Sequence, residues 1–158
     1  MMTGDFLCTK AVSANLTSAI KLDVIAELVD LLINAGSLEK KYRKKVLEVL
    51  MAREALGSTA IGQGIAIPHG KCEYVKKLVG SLGISKQGIK FDSLDGEPVY
   101  IFFLLLAPVD SAGPHLKALA RISRLLKDKY IRESLKTAKD DKTIVALIQQ
   151  EDGRLSAL

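Results

Sequence analysis

The first third of the chain places its hydrophobic residues at helical spacing. Apolar side chains recur with a period of about 3.6 residues from Val24 to Ile33, which is the pattern of one buried helix face. The capping candidates Thr17 and Ser18 precede this stretch, and Gly36 follows it as a terminator. We therefore predict a first helix between these signals.

A second helix follows at once, beginning at Ser37 or Leu38 and ending near Leu56 and Gly57. Its apolar positions again fall at helical spacing: Leu38, Tyr42, Val46, Leu47 and Leu50. Because Arg53 lies near the end of this helix, we expect a rigid element to deliver its guanidinium to the glycine-rich segment that comes next.

The middle of the chain carries short apolar runs that are typical of strands. These runs are residues 65–67, 78–85 and 99–106. Pro68 ends the first run, Asp95-Gly96 is a turn signal, and Pro98 cannot donate a ladder hydrogen bond at the start of the last run. We expect the strands to form one mixed sheet.

The last third of the chain returns to helical spacing. Pro114 suits the first turn of a helix whose predicted buried stripe is Leu116, Leu119, Ala120, Ile122 and Leu126. A further helix is predicted around Ile131 and Leu135, and Asp140 caps another with Ile144, Leu147 and Ile148 turned inward. Helices on both sides of a strand block predict an α/β fold, in which helices flank a mixed parallel and antiparallel sheet.

Length and composition fit one domain spanning residues 1–158. The chain is 48% hydrophobic and 26% charged, which is ordinary for a globular protein with a full core. The N-terminus has neither the basic start nor the apolar core of a secretory leader, and the longest apolar stretch, Val99 to Ala107, is far shorter than the roughly 20 residues that span a bilayer as a helix. We interpret that stretch as a buried central strand, and we expect a cytoplasmic protein without membrane insertion.

Cys8 and Cys72 are too few for a disulfide framework, and we expect both to be free thiols. Cys72 follows His69 by three residues, which raises the alternative of a metal site. A structural zinc site needs about four ligands, and the chain holds only two histidines and two cysteines. We therefore predict no metal and no cofactor.

The charge balance raises the alternative of nucleic acid binding. The formal net charge is +5, and five of the basic residues are Lys40, Lys41, Arg43, Lys44 and Lys45. Apolar residues run through this cluster at helical spacing, so the charges fall on the outer face of an amphipathic helix. Neither aromatic stacking residues nor a recognition motif accompanies them. A solvated face is the favoured interpretation, and we predict no nucleic acid partner.

One segment, Arg53 to Lys71, contains several side chains that could take part in phosphoryl chemistry. It holds the guanidinium of Arg53, the hydroxyls of Ser58 and Thr59, and the imidazole of His69. A neutral imidazole can take a phosphoryl group at neutral pH while its second nitrogen is held as a donor. Hydroxyls, backbone N–H groups and a guanidinium all suit the oxygens of a transferring phosphoryl group. The segment therefore predicts a phosphorylatable histidine.

The second histidine supports the same hypothesis. His115 follows Pro114 directly behind the most apolar run, so both histidines are predicted in turns at the ends of strands, where open α/β sheets place their chemistry. The alternative is that glycine and proline merely shape turns and that neither histidine acts chemically.

With these residues in view, the chain resembles the fructose- and mannitol-type enzyme IIA family of the bacterial phosphoenolpyruvate-dependent phosphotransferase system (PTS). The resemblance runs nearly end to end and is carried by Arg53, Gly57-Ser58-Thr59 and the stretch from Ala66 to Lys71, with support from residues 92–99 and from Pro108 to Leu116. It implies the fold of that family.

The resemblance also implies roles for the site residues. His69 would accept a phosphoryl group from an HPr-type histidine phosphocarrier on Nε2 and pass it to an acceptor, either a IIB component or a regulated target protein. Arg53 and His115 match the family's other active-site positions, where they would neutralise the phosphoryl group and donate a hydrogen bond to it. Ser58 and Thr59 match the motif in supporting roles.

Within the family, the chain is similar to the nitrogen-regulatory branch. Its length without a fused permease or IIB domain, the pattern from Leu16 to Lys21, and Glu27-Leu28-Val29 carry this likeness. That branch implies a regulator that binds other proteins according to its phosphorylation state. Two alternatives stay open: a regulatory binding module that is never phosphorylated, and a basic nucleic-acid-associated protein.

Overall fold

The described part of the chain folds around a six-stranded sheet. The computed structural model describes residues 1–156, so the last two residues of the predicted domain lie outside the described part. The strands are β1 (Leu7–Ser13), β2 (Ala60–Gly62), β3 (Ile65–Ala66), β4 (His69–Cys72), β5 (Val79–Ile89) and β6 (Val99–Pro108). Their spatial order is β1-β5-β6-β3-β2, and β4 also pairs with β6.

Strand directions confirm the predicted mixed sheet. β1 is parallel to β5, and β5 is antiparallel to β6. β3 and β4 are both parallel to β6, while β2 closes a hairpin with β3. The hairpin turn consists of Gln63 and Gly64 with φ values of 58° and 78°, as a two-residue type I′ turn requires.

The β3 and β4 strands follow one another along the same edge of β6. Ile65 pairs with Ile101 and His69 pairs with Leu105, and the N–H of Leu105 donates to the carbonyl of Pro68 at 2.9 Å between them. Pro68 lacks an N–H, so the two short strands are separated where the ladder loses a donor. Residues Ile65 to Cys72 therefore keep one register with β6 across the gap between the two strands.

β6 is buried on both faces. Phe102, Leu104 and Leu106 pack with the first two helices, while Ile101, Phe103 and Leu105 pack with the last three. A strand that is covered on both sides has a continuous apolar sequence, because neither of its faces contacts solvent. The predicted central strand is confirmed.

Within residues 1–156, five α-helices cover the two faces of the sheet. They are α1 (Lys21–Asn34), α2 (Arg43–Ala55), α3 (Ala112–Leu126), α4 (Lys129–Thr137) and α5 (Asp141–Ser156). None of these helices, within residues 1–156, combines the length and the apolar character that crossing a bilayer requires.

The helix starts differ from those predicted. α1 is preceded by Ile20, and neither Thr17 nor Ser18 caps it. Instead the carboxylate of Glu27 accepts hydrogen bonds from the backbone N–H groups of both residues, so the loop is held by a side chain inside the helix. α2 begins only at Arg43, because a 3₁₀ turn occupies the preceding residues.

The structure differs from the sequence analysis at two further points. β1 was not predicted, since its register shifts between Leu7 and Val12 and its burial pattern does not alternate regularly. In α3, Leu116 and Ala120 are exposed, and the buried stripe consists of His115, Ala118, Ile122, Leu125 and Leu126. An apolar pattern search misses this stripe because a histidine occupies one of its positions.

Candidate functional site

His69 is the first residue of β4 and does not lie in the predicted turn. Successive side chains of a strand point to opposite faces. Gly70 faces α2 so closely that a Cβ there would lie 2.8 Å from Cγ1 of Val49, and Cys72 is buried in the same core. His69 and Lys71 therefore point to the other face, the one covered by α3.

The imidazole of His69 is held by its own backbone. Its Nδ1 lies 2.7 Å from the carbonyl oxygen of Ile67. A carbonyl can only accept, so Nδ1 carries the proton in this contact, and in the neutral ring Nε2 keeps its lone pair. The ring is half-buried, which leaves it open to an incoming group.

His115 lies in the first turn of α3 and meets His69. The two ring centroids are 5.5 Å apart and the ring planes are inclined at 79°. His115 is only 6% exposed, and its Nε2 is buried without a hydrogen-bond partner among the described residues. A buried polar atom without a partner costs free energy unless a ligand satisfies it, so this nitrogen, next to the His69 ring, is a candidate contact for a ligand.

The surroundings of His115 lower the pKa of its imidazole below the usual value of 6.5. Burial is the largest cause, and the positive charges that His69 and Lys71 can carry add to it. His115 is therefore neutral at pH 7. A neutral imidazole donates one hydrogen bond and attracts no counter-ion.

Arg53 lies in the last turn of α2, as predicted. Its Nη1 donates to the carbonyl oxygen of Gly57 at 2.7 Å, which anchors the guanidinium to the loop that follows the helix. Only part of the side chain is covered. This contact ties Arg53 to the glycine-rich loop and not to either histidine.

Ser58 and Thr59 use their hydroxyls inside the protein. The Ser58 hydroxyl donates to the carbonyl of Phe91 at 2.6 Å, and the Thr59 hydroxyl donates to the carboxylate of Glu54. Thr59 is buried. Either hydroxyl would have to change partners to contact a phosphoryl group directly, so their supporting role stays a prediction.

The structure thus joins the predicted residues in two groups. His69 and His115 form one, and Arg53 with Ser58 and Thr59 forms the other. The N–H of Ile67 donates to the carbonyl of Thr59 at 3.0 Å and connects them. Within residues 1–156, no three His, Cys, Asp or Glu side chains are grouped so as to hold a metal ion.

Sequence reasoning missed Glu54 and Lys21. Glu54 follows Val46 and Leu50 at four-residue spacing, so it continues the buried stripe of α2. Its carboxylate is buried against the Lys21 ammonium, with Nζ 2.8 Å from Oε2. An acidic residue on an apolar stripe next to Arg53 was the available signal.

The comparisons with known proteins agree on one family. The family described as "Phosphoenolpyruvate-dependent sugar phosphotransferase system, EIIA 2" matches residues 5–151. A nitrogen regulatory protein from Bradyrhizobium diazoefficiens is 44% identical over 121 residues, which cover 77% of this chain and 79% of that protein. The fructose-specific EIIABC component from Bacillus subtilis is 37% identical over 152 residues, which cover 96% of this chain and 24% of that longer protein.

Solved structures share the fold. The nitrogen regulatory protein IIA-Ntr from Neisseria meningitidis superposes with a TM-score of 0.82 at 35% identity, covering 92% of this chain and 97% of that one. The mannitol enzyme IIA of Escherichia coli, solved in complex with phosphorylated enzyme IIB, superposes with a TM-score of 0.74 at 19% identity, covering 89% and 95%. The second likeness shows the fold alone.

Proposed function

The chain belongs to the EIIA 2 family of the phosphoenolpyruvate-dependent sugar phosphotransferase system, a family of phosphotransferases, and on this premise we propose that His69 is its phosphoryl acceptor. The donor is an HPr-type histidine phosphocarrier in the cytoplasm. We place this role in the single domain predicted for residues 1–158.

A single contact carries the assignment of the nucleophile. Because Nδ1 of His69 donates to the carbonyl of Ile67, the free lone pair is on Nε2. The ring is thus in the protonation state and orientation that attack requires. The His115 ring is buried and the His69 ring is only half-buried, so His115 is the less accessible nucleophile and we do not propose it as the acceptor.

The proposed phosphoryl transfer is balanced in bonds and charge, and it requires neither a metal ion nor a proton transfer. The Nε2 lone pair of His69 forms the new P–N bond, while the P–N bond of the carrier breaks and its electron pair returns to the carrier's imidazole nitrogen. His69 keeps its Nδ1 proton throughout. The bonds formed and broken are alike, so catalysis consists of positioning and charge stabilisation.

His115 and Arg53 supply the stabilisation. In the neutral tautomer that carries its proton on Nε2, His115 would donate a hydrogen bond to an oxygen of a phosphoryl group on His69, which would satisfy the nitrogen that has no partner among the described residues. Arg53 offers its remaining N–H groups to the phosphoryl group or to the docking carrier.

Two fates are open to the phosphoryl group on His69: it stays and changes which proteins are bound, or it is passed to a IIB component. The nitrogen regulatory relatives favour a regulator whose binding changes with phosphorylation, since the modification adds roughly −1.5 to −2 charge at neutral pH. The fructose-specific relative, whose name joins A, B and C components, favours transfer to a IIB component. We propose the regulatory role first and sugar transport as the second candidate.

The test is phosphorylation by the purified relay. The protein is incubated with phosphoenolpyruvate, enzyme I and HPr, and intact mass spectrometry should show one added, acid-labile phosphate. His69→Ala should show none, and His115→Ala, as the matched histidine control, should still be modified. An unchanged mass under conditions that phosphorylate HPr would leave only the module that is never phosphorylated or the nucleic-acid-associated protein.

The same preparation separates the remaining candidates. Discharge of the phosphate to a purified fructose-type IIB component would favour sugar transport, and retention would favour regulation. A steep salt dependence of DNA or RNA binding would identify the nucleic-acid alternative.

A further inference from the structure

A buried polar chain leads from α1 to the nucleophile. We propose that Lys21, Glu54 and Thr59 form a positioning cluster that fixes the tautomer and orientation of His69. The inference rests on the proposed function of His69, but it concerns residues that do not touch the phosphoryl group.

The centre of the cluster is the carboxylate of Glu54. It accepts hydrogen bonds from the hydroxyl and, at 3.2 Å, from the backbone N–H of Thr59. The Lys21 ammonium lies 2.8 Å from its Oε2. The carboxylate therefore contacts three donors from two different segments.

The opposite end of Thr59 continues the chain toward the site. Its carbonyl accepts from the N–H of Ile67 at 3.0 Å, and the carbonyl of Ile67 accepts from Nδ1 of His69 at 2.7 Å. A displacement of Thr59 therefore acts on the backbone of Ile67 through its N–H, and the carbonyl oxygen of the same residue selects the His69 tautomer. Glu54 acts on His69 only through these two residues.

Contacts with Phe91 further restrict the position of Lys21 and of the loop that carries Thr59. The Lys21 ammonium also lies 4.6 Å from the centre of the Phe91 ring, and the Ser58 hydroxyl donates to the carbonyl of Phe91. Lys21 thus joins α1 to the segment that supports the loop from the other side. Since Arg53 directly precedes Glu54 in α2, the contacts of Glu54 also fix the backbone that carries the Arg53 side chain.

Stability alone does not explain such a cluster. Replacing a buried ion pair with apolar residues of similar volume is often neutral or stabilising, so the pair of Lys21 and Glu54 is weak evidence for a purely stabilising role. A loop without the anchor would let the Ile67 carbonyl move, and a shift of about 1 Å in a reacting group can slow a reaction by about two orders of magnitude.

The experiment reads the tautomer of His69 directly. Imidazole ¹⁵N shifts are recorded for the unphosphorylated protein at alkaline pH, where wild type should show Nδ1 protonated and Nε2 bare. Thr59→Val removes the hydroxyl and keeps the carboxylate–ammonium pair, and we expect a measurable share of the Nε2–H tautomer with transfer slowed about tenfold. Glu54→Gln should act in the same direction, and Thr59→Ser should restore wild-type behaviour.

Asp152→Asn provides the matched control. The Asp152 carboxylate is buried and accepts from the Arg121 guanidinium and from the backbone N–H groups of Thr3 and Gly4, so it resembles Glu54 in its partners. It touches no member of the chain from Lys21 to His69. We expect this variant to lose stability and to keep the His69 tautomer.

The outcomes are distinct. Wild-type tautomer and transfer rate in Thr59→Val and Glu54→Gln would overturn the proposal and leave the cluster a purely structural one. Should Glu54→Gln fail to fold, Thr59→Val decides alone. A tautomer shift in a protein that HPr never phosphorylates would refute the proposed function while the positioning of the ring stands.

Discussion

The imidazoles of His69 and His115 meet edge to face, with ring centroids 5.5 Å apart and planes inclined at 79°. One ring is tied to the backbone through Nδ1, and the other has a buried nitrogen without a partner among residues 1–156. Under the proposed function, His69 is the phosphoryl acceptor and the neighbouring His115 is the hydrogen-bond donor. The contact between the two rings motivates different predictions for the two histidines.

Replacing His115 should slow phosphoryl transfer without preventing it. His115→Ala removes a donor aimed at the phosphoryl oxygens, and losing one such donor costs about two orders of magnitude in rate. We expect the final extent of His69 modification to match wild type. Rapid-quench measurement of transfer from phosphorylated HPr checks the rate, and wild-type kinetics would refute the hydrogen-bonding role.

The stability of the protein should depend on pH through His115. Its folded-state pKa is lowered below the usual 6.5, mainly by burial, so the unfolded chain binds more protons between those two values. The contribution to the free energy of unfolding is fully present above about 6.5 and is lost as the pH falls through the window to the lowered pKa. Urea denaturation at neutral and mildly acidic pH measures this slope.

The control for that slope is His115→Gln, which keeps a polar side chain and cannot titrate. The difference in unfolding free energy between wild type and variant should shrink or reverse as the solution is acidified. Parallel pH profiles for the two proteins would show that the burial of His115 does not govern the effect.

Adding a methyl group at Gly70 should disturb the strand that carries the nucleophile. A Cβ there would lie 2.8 Å from Cγ1 of Val49, whose rotamer in a helix is stiff. We expect Gly70→Ala to destabilise the protein by about 1–3 kcal/mol, as overpacking does, and to slow transfer. The double variant with Val49→Ala should recover most of both losses, and denaturation together with transfer kinetics tests this.

Removing the Ser58 hydroxyl distinguishes loop support from contact with phosphate. Ser58→Ala loses the bond to the Phe91 carbonyl, and we expect a stability loss of about 1 kcal/mol. Transfer should slow less than in His115→Ala, because the hydroxyl already has a partner. A larger kinetic effect than that of His115→Ala would assign Ser58 a direct role.

Much of the architecture was predictable from periodicity. The buried run of β6, the helical stripes of α1 and α2 and the mixed sheet each follow from local patterns that tertiary packing preserves. β1 was missed because its register shift disrupts alternation, and the stripe of α3 was misassigned because His115 occupies a core position. Apolar periodicity cannot detect a buried polar residue.

The site shows a similar limit. The sequence singled out His69, His115 and Arg53 from chemistry and resemblance, and the structure brings the two histidines into contact. The position of Glu54 on the apolar stripe of α2 was a signal in the sequence, but its pairing with Lys21 could not be inferred, since it joins α1 to α2 across 33 residues and depends on how the helices pack. Long-range polar contacts of this kind follow from the fold and not from local spacing.

The pairing of His69 with Leu105 has a consequence for how the site behaves over time. Leu105 belongs to the most deeply covered strand, and such segments exchange their amide protons only when the whole protein opens. Under the proposed function, the acceptor residue is therefore paired directly with a strand that fluctuates little, while exposed loops can move without displacing it. We therefore expect His69 to be in position before the proposed phosphocarrier docks, so that no rearrangement of β6 precedes transfer.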